Sequence, residues 1–271
     1  MPELPEVETT RRGIEPYLTG SKIKDIIIRQ RKLRWPIPRQ LEKELTGQQV
    51  RSVTRRGKYL LLNTDVGTAI FHLGMSGSLQ IINNDKPAGP HDHVDLLLNN
   101  KTRLRFTDPR RFGCLLWARS DPLKHKLLCK LGPEPLSDEF NSDYIFNQAR
   151  RRKLNIKSFL MNSHVVVGVG NIYANESLFM AGIHPKRAAG RISQHRYELL
   201  VHSVKVVLND SIKKGGTTLK DFVNSDGKPG YFQQTLRVYG RGGEPCTQCS
   251  AILKEIRLGQ RSTVYCTNCQ R

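Results

Sequence analysis

Apolar positions change their spacing twice along this chain, and the changes divide it into stretches of different architecture. Leu4, Val7, Ile14 and Leu18 fall on one face at helical spacing, acids crowd the first turn, and Thr19-Gly20 offers a stop. The pattern predicts a helix over residues 5–18. From residue 23 to 119 the chain turns to short β-forming runs, such as 58–62, 69–73, 78–82 and 93–98, separated by Gly, Asn and Asp. Such spacing predicts a sandwich or a barrel. Gly132-Pro133-Glu134-Pro135 and the polar residues up to Asp143 read as a linker. Beyond it the period is helical again. A basic helix is expected over 144–161, a short one over 172–181, and a long one over 193–214 with Leu199, Leu200, Val204, Val207 and Leu208 on its apolar side. Residues 215–231 are polar and glycine-rich and read as a mobile loop, and the last 35 residues read as a separate small unit. The expected boundaries are therefore 1–132, a linker over 133–143, 144–235 and 236–271.

Charge narrows the class. Lys and Arg number 44 against 24 Asp and Glu, a formal +20. Such a balance predicts a polyanionic partner, nucleic acid first and an anionic membrane surface second. No apolar run approaches the ~18 residues that a membrane-spanning helix needs. The opening residues carry Glu3, Glu6 and Glu8 in place of a charged-then-apolar leader. A cytoplasmic protein is expected, with its cysteines reduced or metal-bound.

Four of those cysteines form the strongest chemical signal. Cys246-x2-Cys249 and Cys266-x2-Cys269 stand 16 residues apart, which is zinc-ribbon spacing. Four thiolates would close a tetrahedron and leave no open position for a reacting water, so one structural zinc per chain is expected. Arg237, Arg241, Lys254, Arg257 and Arg261 surround the motif, as suits a hairpin that touches phosphate. Cys114 and Cys129 stand alone and read as small core or partly buried residues without a function.

The start of the chain holds the other signal. Pro2 would become the first residue once Met1 is trimmed, leaving a secondary amine. An α-amino group titrates near pH ~7.7–8.0, so part of it is neutral and nucleophilic. Glu3 stands beside it as an acid or base. The plain alternative is that Pro2 and Pro5 merely start the helix.

Three segments carry a family resemblance that runs from end to end of the chain. The opening Pro2-Glu3-Leu4-Pro5-Glu6-Val7-Glu8, the segment Gly168-Val169-Gly170-Asn171-Ile172-Tyr173-Ala174-Asn175-Glu176 and the tail from Arg261 to Gln270 resemble bacterial formamidopyrimidine-DNA glycosylase. The resemblance implies an α+β chain: an N-terminal helix plus β-sandwich, then a helix–two-turn–helix domain with a C-terminal zinc-ribbon finger. It implies excision of oxidised purines from double-stranded damaged DNA, followed by strand cleavage, by a monomer with no membrane association.

By the same resemblance Pro2 is the nucleophile on the deoxyribose and Glu3 the proton handler. Lys58 assists β-elimination and Arg261 δ-elimination. Met75, Arg110 and Phe112, in His72-Leu73-Gly74-Met75-Ser76-Gly77 and Asp108-Pro109-Arg110-Arg111-Phe112-Gly113, match the trio that fills the gap left by the extruded base, with Arg110 facing the orphaned cytosine. His91 and Asn171 match phosphate contacts. Glu6, Ile172 and Tyr239 match residues near the lesion pocket, over which the 215–231 loop closes. Read without the family, Lys58 is a solvated lysine, Glu6 a first-turn acid, Met75 or Phe112 a core residue, and Tyr239 a core tyrosine. His91-Asp92-His93 could suggest a metal, but no further ligands lie nearby.

The chain departs from the family pattern at Met161-Asn162-Ser163-His164, and at Asn175 where aspartate is usual. These departures put local packing before the DNA-binding turn in question. Two rivals remain. An endonuclease VIII-like enzyme would prefer oxidised pyrimidines, though Leu4 and Val7 favour the purine branch. A non-catalytic zinc-ribbon protein that binds nucleic acid would explain the charge and the cysteines but not Pro2-Glu3.

Overall fold

A computed structural model of the chain describes residues 2–83, 85–216 and 235–271. The chain divides into two compact units, Met1–Cys129 with Lys214–Tyr231, and Lys130–Lys213 with Phe232–Arg271.

In the first unit, helix α1 (Leu4–Leu18) opens on a capping box between Glu3 and Glu6. The Glu3 N–H donates to Glu6 Oε2 at 2.8 Å, satisfying a donor that any helix start leaves over. Leu4, Val7, Ile14 and Leu18 are all buried, as their spacing requires. A short helix that the pattern did not announce, α2 (Gln40–Leu45), buries Leu41 and Leu45 in the same core.

The strands of this unit are β1 (Ile23–Ile28), β2 (Ser52–Arg56), β3 (Tyr59–Asn63), β4 (Thr68–His72), β5 (Ser78–Asn83), β6 (Asp92–Leu98), β7 (Thr102–Thr107) and β8 (Cys114–Ala118). They form two four-stranded antiparallel sheets, ordered β2-β3-β4-β8 and β1-β6-β7-β5. One apolar core joins them: Leu60, Leu62, Phe71 and Leu115 from the first sheet meet Ile26, Leu79, Leu96 and Phe106 from the second. Phe71 and Phe106 pack edge-on with ring centroids 5.9 Å apart. The unit is thus a sandwich, the first of the two architectures that the period allowed.

The second unit holds α3 (Ser142–Ala149), α4 (Ile156–Leu160), α5 (Asn171–Met180), α6 (Gln194–Lys213) and the hairpin β9 (Lys254–Leu258)–β10 (Arg261–Tyr265). The basic helix expected over 144–161 is two helices. Residues 150–155 leave the helix, with Arg151 at φ 62°, a conformation that ends any helix. The terminal hairpin is not isolated from the helices, because Val238, Leu253 and Val264 pack with Phe179 of α5 in one cluster. Of the glycine-rich segment 215–231, only Gly215 and Gly216 are among the described residues, and the expectation of a mobile loop lies outside them. Among the described residues no helix is long and apolar enough to cross a membrane.

Candidate functional site

Strand register gathers the expected residues of the first unit at one end of the sandwich. In the first sheet Tyr59, His72 and Cys114 lie in one row. In the second, Ser78, Thr107 and Asp92 form the matching row. Every connection leaving these two rows carries a candidate. The two-residue turn Gly57-Lys58 enters Tyr59. The crossover 73–77, with Met75, joins His72 to Ser78. The crossover 108–113, with Arg110 and Phe112, joins Thr107 to Cys114, and His91 precedes Asp92. Gly57 has φ 57° and heads the β2–β3 turn, where a two-residue hairpin of this hand requires glycine.

The two crossovers are tied to each other. Ser76 Oγ donates to Asp108 Oδ1 at 2.8 Å, the Gly113 N–H donates to Asp108 Oδ2 at 2.7 Å, and the Arg110 N–H reaches Ser76 Oγ at 3.3 Å. The Asp108 N–H donates to the His91 carbonyl at 3.0 Å. Gly74, at φ 64°, passes so close that a Cβ there would lie 2.4 Å from the Gly113 nitrogen. Met75 and Phe112 are exposed at 38% and 44%, against the core reading that their side chains alone suggest. The Arg110 guanidinium sits 4.8 Å over the Phe112 ring. Arg34, His72, Met75, Arg111 and Phe112 line a cleft of about 540 Å³.

His72 accepts from the Gly74 N–H through Nδ1 at 3.0 Å. Burial, then the charges of Lys58 and Arg34, hold His72 down at about 4, so the ring is neutral and can accept that bond. His91 is exposed, whereas His93 is buried with Nε2 2.7 Å from the Asp108 carbonyl. The two rings therefore serve different surroundings, and no metal pair forms.

Lys58 is half-buried in the turn between β2 and β3. Arg55 binds Glu8 through Nε at 3.1 Å and the Gly57 carbonyl through Nη1 at 2.8 Å. Glu8 also holds Arg11 and Arg12. Burial would raise its carboxyl, but these guanidinium contacts outweigh that and leave it below its ordinary value. The turn with Lys58 is thus fixed to the helix that follows Pro2. Pro2, Glu3 and Glu6 are all buried, more than a helix cap alone demands. A Cβ on Gly216 would stand 3.3 Å from Glu6 Oε1, so the start of the 215–231 segment packs on this carboxylate.

In the second unit Asn171 opens α5 behind the N-cap Gly170. Its Nδ2 donates to the Ser262 carbonyl at 3.0 Å, while Oδ1 is buried with no hydrogen-bond partner. Ile172 is buried. Arg261 is exposed where β10 begins, after the turn Gly259-Gln260. Both turn residues have positive φ, 53° and 61°, the hairpin geometry that matches strand twist. The buried Lys157 grips this strand, with Nζ 2.7 Å from the Ser262 carbonyl and 2.6 Å from Thr263 Oγ1. Asn175 Oδ1 accepts from the Val264 N–H at 2.9 Å, and its Nδ2 donates to the Asn171 carbonyl at 2.6 Å. The departure from aspartate thus supplies a donor that a carboxylate lacks. At the other departure, Asn162 Oδ1 caps the His164 N–H at 3.0 Å and His164 Nδ1 lies 2.6 Å from the Lys130 carbonyl.

Reasoning from sequence missed Glu176. Its buried carboxylate accepts from the N–H groups of Arg237, Val238 and Tyr239 at 2.9, 3.0 and 2.8 Å, a backbone nest for an anion that fixes the half-buried Tyr239. Of the basic residues around the finger, Arg241 is spent internally on Glu244 and on the Arg237 and Pro245 carbonyls. Cys129, expected to be a small core or partly buried residue, is exposed. Cys114 is buried, and that burial pushes its thiol up to about 12.

The four remaining cysteines converge. Their sulfurs lie within 4.8 Å of one another, with Cys246–Cys269 at 3.9 Å and Cys249–Cys266 at 3.4 Å. A tetrahedral zinc with Zn–S near ~2.3 Å sets its sulfurs about 3.8 Å apart. The set fits one structural zinc per chain.

A basic chain with a zinc finger, and with a cation and apolar tips grouped at one end of a sandwich, has the make-up of a nucleic-acid-processing protein. Family profiles match residues 1–115 as the formamidopyrimidine-DNA glycosylase N-terminal domain, 131–223 as the formamidopyrimidine-DNA glycosylase H2TH domain and 243–271 as the zinc finger found in FPG and IleRS. A formamidopyrimidine-DNA glycosylase from Marinobacter nauticus is 59% identical over 100% of both chains. Among solved structures, wild-type Lactococcus lactis Fpg with DNA containing N7-benzyl-Fapy-dG is 35% identical, with TM-score 0.92 over 100% of both chains. The same organism's Fpg with DNA containing an abasic site is 34% identical, with TM-score 0.92 over 99% of both chains. The chain belongs to the formamidopyrimidine-DNA glycosylase family of DNA-repair enzymes.

Proposed function

We propose that this chain excises oxidised purines, 8-oxoguanine and formamidopyrimidines, from double-stranded DNA and then cleaves the strand as an AP lyase. The observation that carries the reading is the convergence of Lys58, Met75, Arg110, Phe112 and His91 on one end of the sandwich, in a chain that matches the family from end to end.

With Met1 removed, the Pro2 secondary amine attacks C1′ of the damaged nucleotide and the base leaves. The resulting iminium draws electrons, so that the 3′ and then the 5′ phosphate are eliminated. Glu3 moves protons at the opened sugar, Lys58 assists the first elimination and Arg261 the second. Glu6, Ile172 and Tyr239 border the lesion pocket. Met75 and Phe112 enter the gap left by the extruded base, and Arg110 donates to the orphaned cytosine. His91 and Asn171 hold phosphates, Asn171 at a helix start whose dipole favours an anion. The division of labour is a catalytic part over 1–132, a linker over 133–143, a DNA-binding part over 144–235 and a zinc finger over 236–271. All these groups come from one chain, in keeping with a cytoplasmic monomer.

Borohydride trapping tests the reading. An 8-oxoguanine duplex opposite cytosine should become covalently fixed to the protein. Preferential trapping of an oxidised-pyrimidine duplex would instead mark an endonuclease VIII-like enzyme. No trapping of either would leave only a binding protein.

A further inference from the structure

Glu8, half-buried on α1, has no part in the chemistry above, yet it binds three guanidinium groups. Arg11 Nη2 lies 3.0 Å and Arg12 Nε 2.9 Å from its Oε1, and Arg55 Nε lies 3.1 Å from its Oε2. Arg11 and Arg12, at i+3 and i+4, are the ordinary partners of a helical glutamate. Arg55 is not. It comes from β2, 47 residues on. The side chains of Arg55 and Glu8 are only 12% and 13% exposed, and a pair so far withdrawn from water is little screened.

Arg55 has a second grip, since its Nη1 donates to the Gly57 carbonyl at 2.8 Å. That oxygen lies in the peptide plane whose N–H belongs to Lys58, so the bond sets how the chain enters Lys58. A planar guanidinium holds two acceptors in fixed directions, which an ammonium group cannot do. Strand β2 is laced to α1 at another point, where Arg11 Nη1 donates to the Val53 carbonyl at 3.2 Å. Glu15 steadies Arg11 from 2.6 Å. The Glu8 carboxylate therefore joins two paths. One runs back along α1, four residues and about 6 Å of axis, to Leu4, and through the capping-box Glu3 to Pro2. The other runs through Arg55 and Gly57 to Lys58.

The chemistry needs such a link. In the first elimination the C2′–H bond breaks, its electron pair becomes the C2′=C3′ double bond, and the C3′–O bond breaks as the phosphate leaves. The proton that departs is one carbon away from C1′, the atom bonded to the Pro2 nitrogen. The amine and the lysine that assists the step must therefore keep a fixed separation, and a misplacement of about 1 Å costs on the order of 10²-fold. An anchor common to α1 and to the β2–β3 turn supplies that separation.

We propose that Glu8, acting through Arg55 and the Gly57 carbonyl, is a positioning residue that holds Lys58 in place relative to the Pro2 amine for the first elimination. The proposal rests on the reading of Pro2 as the nucleophile and of Lys58 as its partner in that step. It is tested in the full chain by Glu8→Gln and, separately, by Arg55→Met. Arg12→Gln is the control, because it removes a partner of the same carboxylate from within α1 and leaves the link to β2 intact. The measurement is kcat and KM for cleavage of a duplex with a preformed abasic site. Glu8→Gln and Arg55→Met should each lower kcat by about 10- to 100-fold with KM at the wild-type level, and Arg12→Gln should match the wild type. Added to Lys58→Ala, either substitution should slow cleavage no further, because residues that act as a unit are not additive. Unchanged kcat in either variant overturns the proposal, and so does a loss confined to KM, an equal loss in Arg12→Gln, or losses that multiply with that of Lys58→Ala. If Glu8→Gln fails to fold, Arg55→Met, which leaves Glu8 paired with Arg11 and Arg12, decides alone. Cleavage at the wild-type rate by Lys58→Ala refutes the reading of Lys58 and the proposal with it. A slow Lys58→Ala beside a normal Glu8→Gln refutes the proposal alone.

Discussion

Ser76 and Asp108, 32 residues apart, share a buried hydrogen bond of 2.8 Å that joins the two crossovers of the sandwich. One crossover carries Met75 and the other carries Arg110 and Phe112. The bond therefore sets where the apolar tip and the cation stand relative to each other. Ser76→Ala removes the donor and leaves a buried carboxylate oxygen short of a partner, at a cost of about 1–3 kcal/mol. It should lower the urea midpoint accordingly and narrow the preference for cytosine opposite the lesion. Binding to intact duplex should hardly change. Excision rates across the four opposite bases check this, and an unaltered preference would mean that each crossover holds its own shape.

Asp95 gives the sandwich an acid-sensitive point. It is fully buried in the second sheet, with Arg105 at 2.8 Å, Arg29 at 2.7 Å and Arg103 at 3.1 Å. Burial alone would raise its carboxyl, but the hydrogen bonds from Arg105, Arg29 and Arg103 prevail and leave it at about 2. The unfolded value is near ~3.9. A carboxyl held lower in the folded state stabilises above the unfolded value and loses that contribution as pH falls through the folded one. The loss should run from about pH 4 to about pH 2 and amount to about 2–3 kcal/mol. Asp95→Asn should be less stable at neutral pH by about 3–5 kcal/mol, because it strands buried guanidinium charge, and should show a shallower acid limb. Urea unfolding of both proteins at pH 7, 4 and 3 decides it, and parallel acid limbs would rule Asp95 out.

Periodicity served where burial depends on local sequence. Leu4, Val7, Ile14 and Leu18 announced α1, and paired cysteines announced the metal centre, because spacing alone decides both. The split between α3 and α4 was hidden. Arginine and lysine are good helix formers, and what breaks the helix is backbone pairing with 187–190, some 35 residues on. The roles of Asp108 and Glu176 were hidden for the same reason. Glu176 holds N–H groups more than 60 residues away, a distance over which no local pattern operates. Met75 and Phe112 misled in the opposite sense, since large apolar residues are normally buried and only the crossover geometry shows why these are not.

Zinc removal should act on the second unit alone. Cys246 and Cys266 share a core with Val238, Leu253, Val264 and Phe179, so losing the metal loosens the strand that begins with Arg261. The finger over residues 236–271 is too small to hold a core of its own without the metal. A chelator, or Cys246→Ser/Cys249→Ser, should abolish binding to lesion-containing DNA while the strand signal of the sandwich persists in circular dichroism. Full affinity without bound metal would show that the finger is dispensable for binding.

Arg110 and Arg261 are both exposed arginines, but they stand in different surroundings. Arg110 stacks on Phe112 within the tied crossovers, whereas Arg261 stands at a hairpin tip clamped by Lys157 and Asn171 through Ser262. Arg261→Ala should weaken damaged and intact duplexes alike and reduce the salt slope by roughly one unit. Replacing His91 or Asn171 should also weaken both duplexes. Arg110→Ala should instead flatten the discrimination between cytosine and adenine opposite the lesion, by about 1–3 kcal/mol, the range of a bidentate arginine–base contact. The two effects separate when excision is followed across four opposite bases at two salt concentrations. A uniform loss in Arg110→Ala, with the opposite-base preference intact, would move Arg110 among the phosphate contacts. A change in that preference on replacing Arg261 would show that the hairpin reads bases as well.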